Sequence, residues 1–389
     1  MDAHELLEQR VRNFHDAVQM KKAPKRVPHI SSFMTWKFVD AGVKFSDGMY
    51  DYDLCEKVHI EWEERYKFDV LREFGTRNPI KIIQGFAAPR YVINDENSTI
   101  NALDFTLMEG DEYDELLTNK RKFLWERVVA RRYPELQNAT DDQIRSIIRG
   151  FQEYNEYNAK ITKIYREQFG VPYFYGCPSF SPCAIESLMN NYRGIKGTSI
   201  DMRRHKDKIK ALCDQHGNNV ITPAVEKLKA GPKGELPEFA FDTSGASLCH
   251  TILSPKQWEE FYWPGMKMIT DAIVEMDKTS YWFYQGAMYQ FADFFKDIEK
   301  GHLCIHIELG DLFEIRKMLP NIALAGGMPM TRLYEGTPEE CVDIAKKLVD
   351  GLGQEGGFIL SQDKMCSYPK DCRRETLLAV CDFIQNYGE

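Results

Sequence analysis

The chain has 389 residues, of which 43% are hydrophobic and 28% charged, so it can bury a full core in one large domain or two average ones. Its net charge of −9, without a dense lysine and arginine run, argues against a nucleic-acid-binding protein. It has no apolar signal segment, no apolar run of about 18 residues and no C-x-x-C pair, which predicts a cytoplasmic protein that avoids membranes and keeps its cysteines reduced.

The N-terminal part contains two predicted helix–strand pairs. Residues 1–22 and 54–68 have the spacing of amphipathic helices. The strands predicted to follow them are residues 27–33 and residues 80–84.

A long helical block comes next. Residues 98–169 are predicted to be helical almost throughout, in the pieces 109–117, 120–132 and 141–169. Thr140 supports the start of the last piece, because a capping residue followed three positions later by Gln forms a capping box. The block predicts a helical insertion at about residues 95–169, in addition to the N-terminal helical extension.

After the block, strands and helices alternate regularly. The predicted strands are residues 171–175, 239–242, 281–284, 303–308, 322–325 and 358–361. The predicted helices are residues 183–191, 202–215, 255–276, 288–300, 312–319, 338–352 and 370–387. With the two N-terminal strands the total is eight, which predicts one α/β domain over residues 1–389, a (β/α)8 TIM barrel.

The strand at 303–309 is the most informative segment. Its aliphatic residues alternate with Cys304, His306 and Glu308, so that one face carries a thiol, an imidazole and a carboxylate. Same-face neighbours on a strand lie about 6.7 Å apart, so the three groups do not readily share one ion. His306 and Glu308 together remain candidate metal ligands, and the alternative is a hydrogen-bonded histidine beside a carboxylate that pairs with a cation such as Lys364.

Active sites of such barrels lie at the carboxyl ends of the strands. Besides His306 and Glu308, this rule selects as candidate site residues Tyr175, Cys177, Asp242, Tyr284, Gln285, Met328, Asp363 and Lys364. Tyr281 and Phe283 join them, because one pair of the aromatic run 281–284 faces the barrel interior and would suit a planar substrate. Asp242 is equally well explained as a general acid or base and as a turn or cap residue.

Several motifs resemble the uroporphyrinogen decarboxylase superfamily. They are Gly326-Gly327-Met328-Pro329, Gly336-Thr337-Pro338-Glu339-Glu340, Gly356-Gly357-Phe358-Ile359-Leu360, the loop Gly176-Cys177-Pro178-Ser179-Phe180 and the helix start Leu253-Ser254-Pro255. The resemblance covers roughly residues 170–389 and implies a (β/α)8 barrel. It also implies one of two chemistries, namely decarboxylation of a tetrapyrrole or methyl transfer with corrinoid proteins.

Comparison within the superfamily favours one branch. Its decarboxylases carry an arginine-rich stretch near the first strand, whereas residues 29–37 here contain no arginine. Its thiol-directed methyltransferases hold zinc through His-x-Cys after one strand and Cys after the last. Residues 283–285 lack the first pair, and position 364 is a lysine, with the nearest cysteine at Cys366. The segment 108–116 resembles a helical insertion of the substrate:corrinoid methyltransferases, including those that demethylate phenyl methyl ethers.

The resemblance therefore implies an O-demethylating methyltransferase that moves a methyl group from an aryl methyl ether to Co(I) of a corrinoid (cobalamin) on a partner protein. Asp242, His306, Glu308 and Asp363 are the candidate catalytic residues, and a bound zinc is a further candidate for activating the leaving group. The alternatives are a cofactor-independent decarboxylase with Asp242 as acid–base residue, and a non-catalytic protein that binds a corrin or tetrapyrrole. The oligomeric state stays open, and a homo-oligomer is compatible with the sequence.

Overall fold

In the computed structural model of the protein, the described residues are 2–72, 91–102, 106–176, 178–236 and 238–387. The strand predicted at residues 80–84 and the candidate Cys177 lie outside them.

Eight strand positions form a curled, parallel barrel. In chain order its strands are His29–Ser31, Val70–Leu71, Tyr173–Tyr175 with Ser179–Phe180, Phe239–Phe241 with Thr243–Ser247, Ser280–Ala287, Leu303–Leu309, Ala323–Met328 and Phe358–Gln362. The last strand pairs with the first, and the second strand contacts the third. Each strand therefore has a neighbouring strand on both sides, as in a barrel. The predicted (β/α)8 architecture is thereby confirmed.

Helices surround this barrel and precede it. The α-helices are Ala3–Gln19, Trp36–Ala41, Phe45–Tyr50, Tyr52–Tyr66, Tyr113–Thr118, Lys120–Phe123, Ala130–Arg132, Asp141–Phe169, Ile185–Ser187, Gly194–Arg204, Lys206–His216, Thr222–Lys229, Pro255–Gln257, Trp263–Glu275, Leu312–Met318, Met330–Glu335, Pro338–Leu352 and Arg374–Asn386. The π-helical turns are Leu124–Val129, Leu188–Tyr192, Gly217–Ile221 and Trp258–Tyr262, and the 3-10 turns are Pro134–Asn138, Cys249–Ile252, Tyr289–Phe295 and Pro369–Asp371. No helix among the described residues is both long and apolar enough to cross a membrane.

Two local predictions were wrong, and one strand of the barrel was not predicted. That strand is Val70–Leu71 at the second barrel position, which has too few residues to show a periodic pattern. The strands Tyr91–Asn94 and Thr99–Ala102 form an antiparallel hairpin where the helical block was expected to begin. The helix predicted at 288–300 is reduced to the 3-10 turn Tyr289–Phe295.

The N-terminal helix Ala3–Gln19 closes the amino-terminal end of the barrel. Its Phe14, Ala17 and Val18 are fully buried in one cluster with barrel-interior residues. The backbone oxygen of Ala17 accepts a 2.6 Å hydrogen bond from the amide of Gly357, immediately before the last strand. Solvent therefore reaches the barrel from its opposite, carboxyl-terminal end.

Candidate active site at the barrel mouth

Two layers of side chains fill the barrel above the N-terminal helix. On the central strands, Tyr281 lies beside Cys304 in the lower layer, and Phe283 lies beside His306 in the upper layer. The same upper layer continues through Ala325 of the next strand. Because alternate strand residues face the same side, this upper layer forms the floor of the mouth.

One wall of the mouth consists of small side chains. Ser179 of the third strand pairs with Ser244 of the fourth, and Ala246 pairs with Phe283 of the fifth. Ser179 and Ala246 are solvent-exposed although they belong to barrel strands. The space beside the inward-facing Phe283 is therefore open to a ligand.

His306 is fully buried and uses both ring nitrogens in hydrogen bonds. Its Nε2 lies 3.1 Å from the backbone oxygen of Asp363, and its Nδ1 lies 2.5 Å from the hydroxyl of Tyr281. A carbonyl oxygen can only accept, so Nε2 carries the proton and Nδ1 accepts from Tyr281. Burial, with the nearby positive charge of Arg72, lowers the pKa of His306 to about 3. His306 is thus a neutral group that anchors the backbone of Asp363.

Two carboxyl groups stand at the mouth, at the ends of the sixth and eighth strands. Glu308 is partly buried and accepts a hydrogen bond from the amide of Gly286. Asp363 accepts a 3.3 Å hydrogen bond from the amide of Met330, and its own amide donates to Met328 over 3.0 Å. Burial raises the pKa of Asp363, and the negative charge of Glu308 adds to this effect. This raised pKa makes Asp363 a candidate proton donor.

The aromatic run divides between the two faces of the fifth strand. Tyr281 and Phe283 belong to the barrel interior. Tyr284 packs in the layer between sheet and helices, where its hydroxyl lies 3.3 Å from that of Tyr262. Tyr284, predicted as a site residue, therefore does not line the mouth. Gln285, the other candidate at this strand end, is partly buried.

The remaining candidates from the strand-end rule are dispersed. Tyr175 is 41% exposed, and its neighbour Phe174 takes the interior position. Met328 is fully buried on the outer side of its strand, in the layer that packs against helices. Lys364 is exposed directly after Asp363.

Asp242 lies at the base of the barrel rather than at its mouth. The fourth strand resumes after it at Thr243, which pairs with Ser280, the first residue of the fifth strand. The carboxylate of Asp242 accepts hydrogen bonds from the amide and hydroxyl of Thr279, at 2.8 and 2.9 Å, and forms a 3.3 Å ion pair with Lys278. The expectation that Asp242 ends its strand near the site is therefore incorrect, and its partners indicate a structural role.

Arg72 is a residue of the mouth that sequence reasoning missed. The backbone amide of Arg72 donates a hydrogen bond to the backbone oxygen of Ser31. This bond extends the ladder between the first two strands and fixes Arg72 at the carboxyl end of the second. The guanidinium carbon lies 3.9 Å from the ring centroid of Phe283, and Nη1 lies 3.2 Å from the sulfur of Met365. The strand-end rule could have selected Arg72, because the residue directly follows a strand. That strand has only two residues and was therefore not recognised in the sequence.

The residues at the mouth do not fit the zinc site that was considered. Within the described part of the chain, no group of three or more His, Cys, Asp or Glu side chains is arranged to hold a metal ion. The pair His306 and Glu308 would require a free imidazole nitrogen, and both nitrogens of His306 are hydrogen-bonded. No step proposed below uses a metal bound by this chain.

Comparisons with known proteins agree with the fold. A family model described as uroporphyrinogen decarboxylase (URO-D) matches residues 135–387. Among 31 matching chains of solved structures is a methyltransferase from Methanosarcina mazei, with a TM-score of 0.60 and 12% identity. The match covers 97% of this chain and 98% of that one, and at this identity it shows a shared fold alone. No curated protein matches the chain in sequence.

Proposed function

Because the chain belongs to the uroporphyrinogen decarboxylase family, we propose that it is a methyltransferase that takes the methyl group of an aryl methyl ether and passes it to the Co(I) of a corrinoid carried by a partner protein. The fold shared with a methyltransferase along nearly the whole of both chains supports the reaction class. The corrinoid acceptor is taken from the sequence resemblance, and the chemistry of the mouth supports the choice of donor, because fold alone does not determine function.

The observation that carries the proposal is the carboxyl group of Asp363 beside that of Glu308. An aryl ether gives up its methyl group only if the phenolate oxygen that keeps the bonding electrons is stabilised or protonated. Burial and the negative charge of Glu308 raise the pKa of Asp363, so its carboxyl group holds a proton more readily than an exposed aspartate does. Asp363 donates this proton to the ether oxygen as the carbon–oxygen bond breaks, so that a neutral phenol leaves.

The other residues of the mouth hold the reacting groups in place. The open wall of Ser179 and Ala246 beside Phe283 leaves room where the donor ring can lie. His306 holds the backbone oxygen of Asp363 and so fixes the acid. The corrinoid of the partner protein supplies the nucleophile that accepts the methyl group, and the open mouth admits it.

The test is a single-turnover reaction with a reduced corrinoid, free or protein-bound, and a panel of methoxylated aromatics. Loss of the Co(I) absorbance together with release of the matching phenol is the expected result. Asp363→Asn is expected to slow phenol release by about 10²–10⁴-fold, whereas Asp382→Asn, which changes an exposed aspartate, leaves the rate unchanged.

The alternatives predict other outcomes of the same experiment. Release of carbon dioxide from a carboxylated substrate without corrinoid would indicate a decarboxylase, and Asp242 is held by Lys278 and Thr279 away from the mouth where such a substrate would bind. Tight binding of a corrin without phenol or carbon dioxide formation would indicate a non-catalytic binding protein. Either result would contradict the methyltransferase proposal.

A further inference from the structure

Arg72 places a positive charge over the floor of a mouth whose rim carries the carboxyl groups of Glu308 and Asp363 and the exposed cation Lys364. The side chain is partly buried, and the planar guanidinium lies over the face of Phe283, 3.9 Å from the ring centroid. Its positive charge acts on two interior groups: it partly offsets the burial that raises the pKa of Tyr281, and it adds to the burial that lowers the pKa of His306. The guanidinium is therefore directed over the floor of the mouth.

Among the described residues, the contacts of Arg72 use little of its hydrogen-bonding capacity. A guanidinium has five N–H donors and most often pairs with a carboxylate or phosphate in a two-bond geometry. Here the polar contact of the group is the thioether sulfur of Met365, a weak acceptor, at 3.2 Å. Within the described ranges, Arg72 forms no ion pair, and neither Glu308 nor Asp363 lies within ion-pair distance of it.

The mouth is consequently polarised. Glu308 and Asp363 stand at the ends of the sixth and eighth strands, and Arg72 stands at the end of the second, over the ring of Phe283 from the fifth. A planar donor on Phe283 whose ether oxygen meets Asp363 would have another part of its ring near the guanidinium. A negative substituent there would satisfy a partly buried cation, and a positive one would be repelled.

We propose that Arg72 is the specificity-determining residue of the mouth, and that it selects aromatic methyl ethers bearing a carboxylate on the ring over neutral or cationic methyl donors. This inference rests on the proposed function for the identity of the ligand as a methyl ether. The carboxylate accepts two hydrogen bonds from the guanidinium, which stays stacked on Phe283.

The experiment measures equilibrium binding to the full chain without corrinoid, by calorimetry or by quenching of tryptophan fluorescence. The probes are 4-methoxybenzoate, the neutral methoxybenzene and the cationic (4-methoxyphenyl)trimethylammonium. The wild type is expected to bind 4-methoxybenzoate at least about tenfold more tightly than methoxybenzene, the effect of one good charge-assisted contact, and to bind the cation most weakly.

Two substitutions and a control assign the preference. Arg72→Met keeps an extended apolar side chain over Phe283 and is expected to abolish the tenfold preference while leaving the affinity for methoxybenzene unchanged. Arg72→Lys keeps the positive charge but loses the planar guanidinium that forms two parallel hydrogen bonds, and it is expected to retain part of the preference for 4-methoxybenzoate. Lys370→Met removes an exposed cation from the loop after the last strand and is expected to have no effect.

The outcomes separate this inference from the proposed function. An equal loss of affinity for the acid and the neutral ether in both Arg72 variants would make Arg72 merely structural and overturn the inference, as would an unchanged preference in Arg72→Met. Methyl transfer from carboxylated and neutral ethers alike at rates that Arg72→Met leaves unchanged would leave the methyltransferase intact and the inference wrong. An Arg72-dependent carboxylate preference without methyl transfer would support the anion site and contradict the proposed function.

Discussion

Glu63 is expected to make the stability of the protein depend on pH in a direction opposite to that of most carboxyl groups. The side chain is 1% exposed, and its nearest cation, Arg10, lies 3.8 Å away. The neighbouring carboxylate of Asp69 is more strongly stabilised than that of Glu63, because it accepts hydrogen bonds from Arg26 and from the backbone amide of His29. Burial, which Arg10 only partly offsets, raises the pKa of Glu63 from 4.5 to about 8.

The magnitude follows from these two values. Because the pKa is higher in the folded state, the favourable contribution of protonated Glu63 is fully present below pH 4.5 and is lost as the pH rises through about 8. Each pKa unit corresponds to about 1.4 kcal/mol, so raising the pH from 5 to 8 should lower the free energy of unfolding by about 3 kcal/mol through this group.

Urea denaturation followed by circular dichroism at pH 5, 6, 7 and 8 measures this loss. Glu63→Gln replaces the acid by a group of the same shape that cannot ionise, so the decline from pH 6 to 8 should nearly vanish. Glu64→Gln alters the exposed neighbour and should keep the wild-type slope. A Glu63→Gln protein with the full wild-type slope would refute the assignment of the buried proton to Glu63.

Further predictions concern buried hydrogen bonds and acid lability. Tyr281→Phe leaves Nδ1 of buried His306 without its donor and should lower the free energy of unfolding by about 1–3 kcal/mol. Tyr284→Phe removes a hydroxyl with a longer, 3.3 Å contact and should cost less, and an equal cost in thermal unfolding would count against the proposed tautomer of His306. Burial lowers the pKa of His29 and His306 to about 3 and of His250 to about 4, against 6.5 when unfolded. The contribution of these neutral histidines to the free energy of unfolding is therefore fully present above pH 6.5 and is lost as the pH falls below 6.5. Because the contribution of buried Glu63 declines in the opposite direction, as the pH rises, stability should be greatest near pH 6.5. A stability that keeps rising to pH 4 would be inconsistent with neutral, buried histidines.

Strong periodicity explains which parts of the fold the sequence predicts. The alternation around His306 extends over seven residues, and the strand Leu303–Leu309 has the bounds of the alternating segment. Thr140 begins its helix with both hydrogen bonds of a capping box, because the Thr and Gln signals are local to four residues. Val70–Leu71 has two residues and is defined by its partners in the sheet, so local pattern is uninformative there.

Residues of the mouth were harder to assign because burial and charge at a strand end depend on tertiary packing. Alternation alone does not reveal which aromatic pair faces inward, and the structure places Tyr281 and Phe283 inside and Tyr284 outside. Asp242 follows an apolar strand in the sequence, but that strand resumes after one residue, which moves the carboxylate to the base of the barrel. Arg72 became evident only from its stacking on Phe283, a residue distant in sequence.

In the proposed reaction Asp363 protonates the departing phenolate during methyl transfer. The most direct measurement compares the transfer rates of wild type and Asp363→Asn with two donors whose phenols differ in acidity, 4-methylphenyl methyl ether and 4-nitrophenyl methyl ether. A poor leaving group needs the proton and a good one does not, so the substitution should cost about 10²–10⁴-fold with the first donor and less than about tenfold with the second. An equal loss with both donors, or no loss with either, would contradict the assignment of Asp363 as the acid.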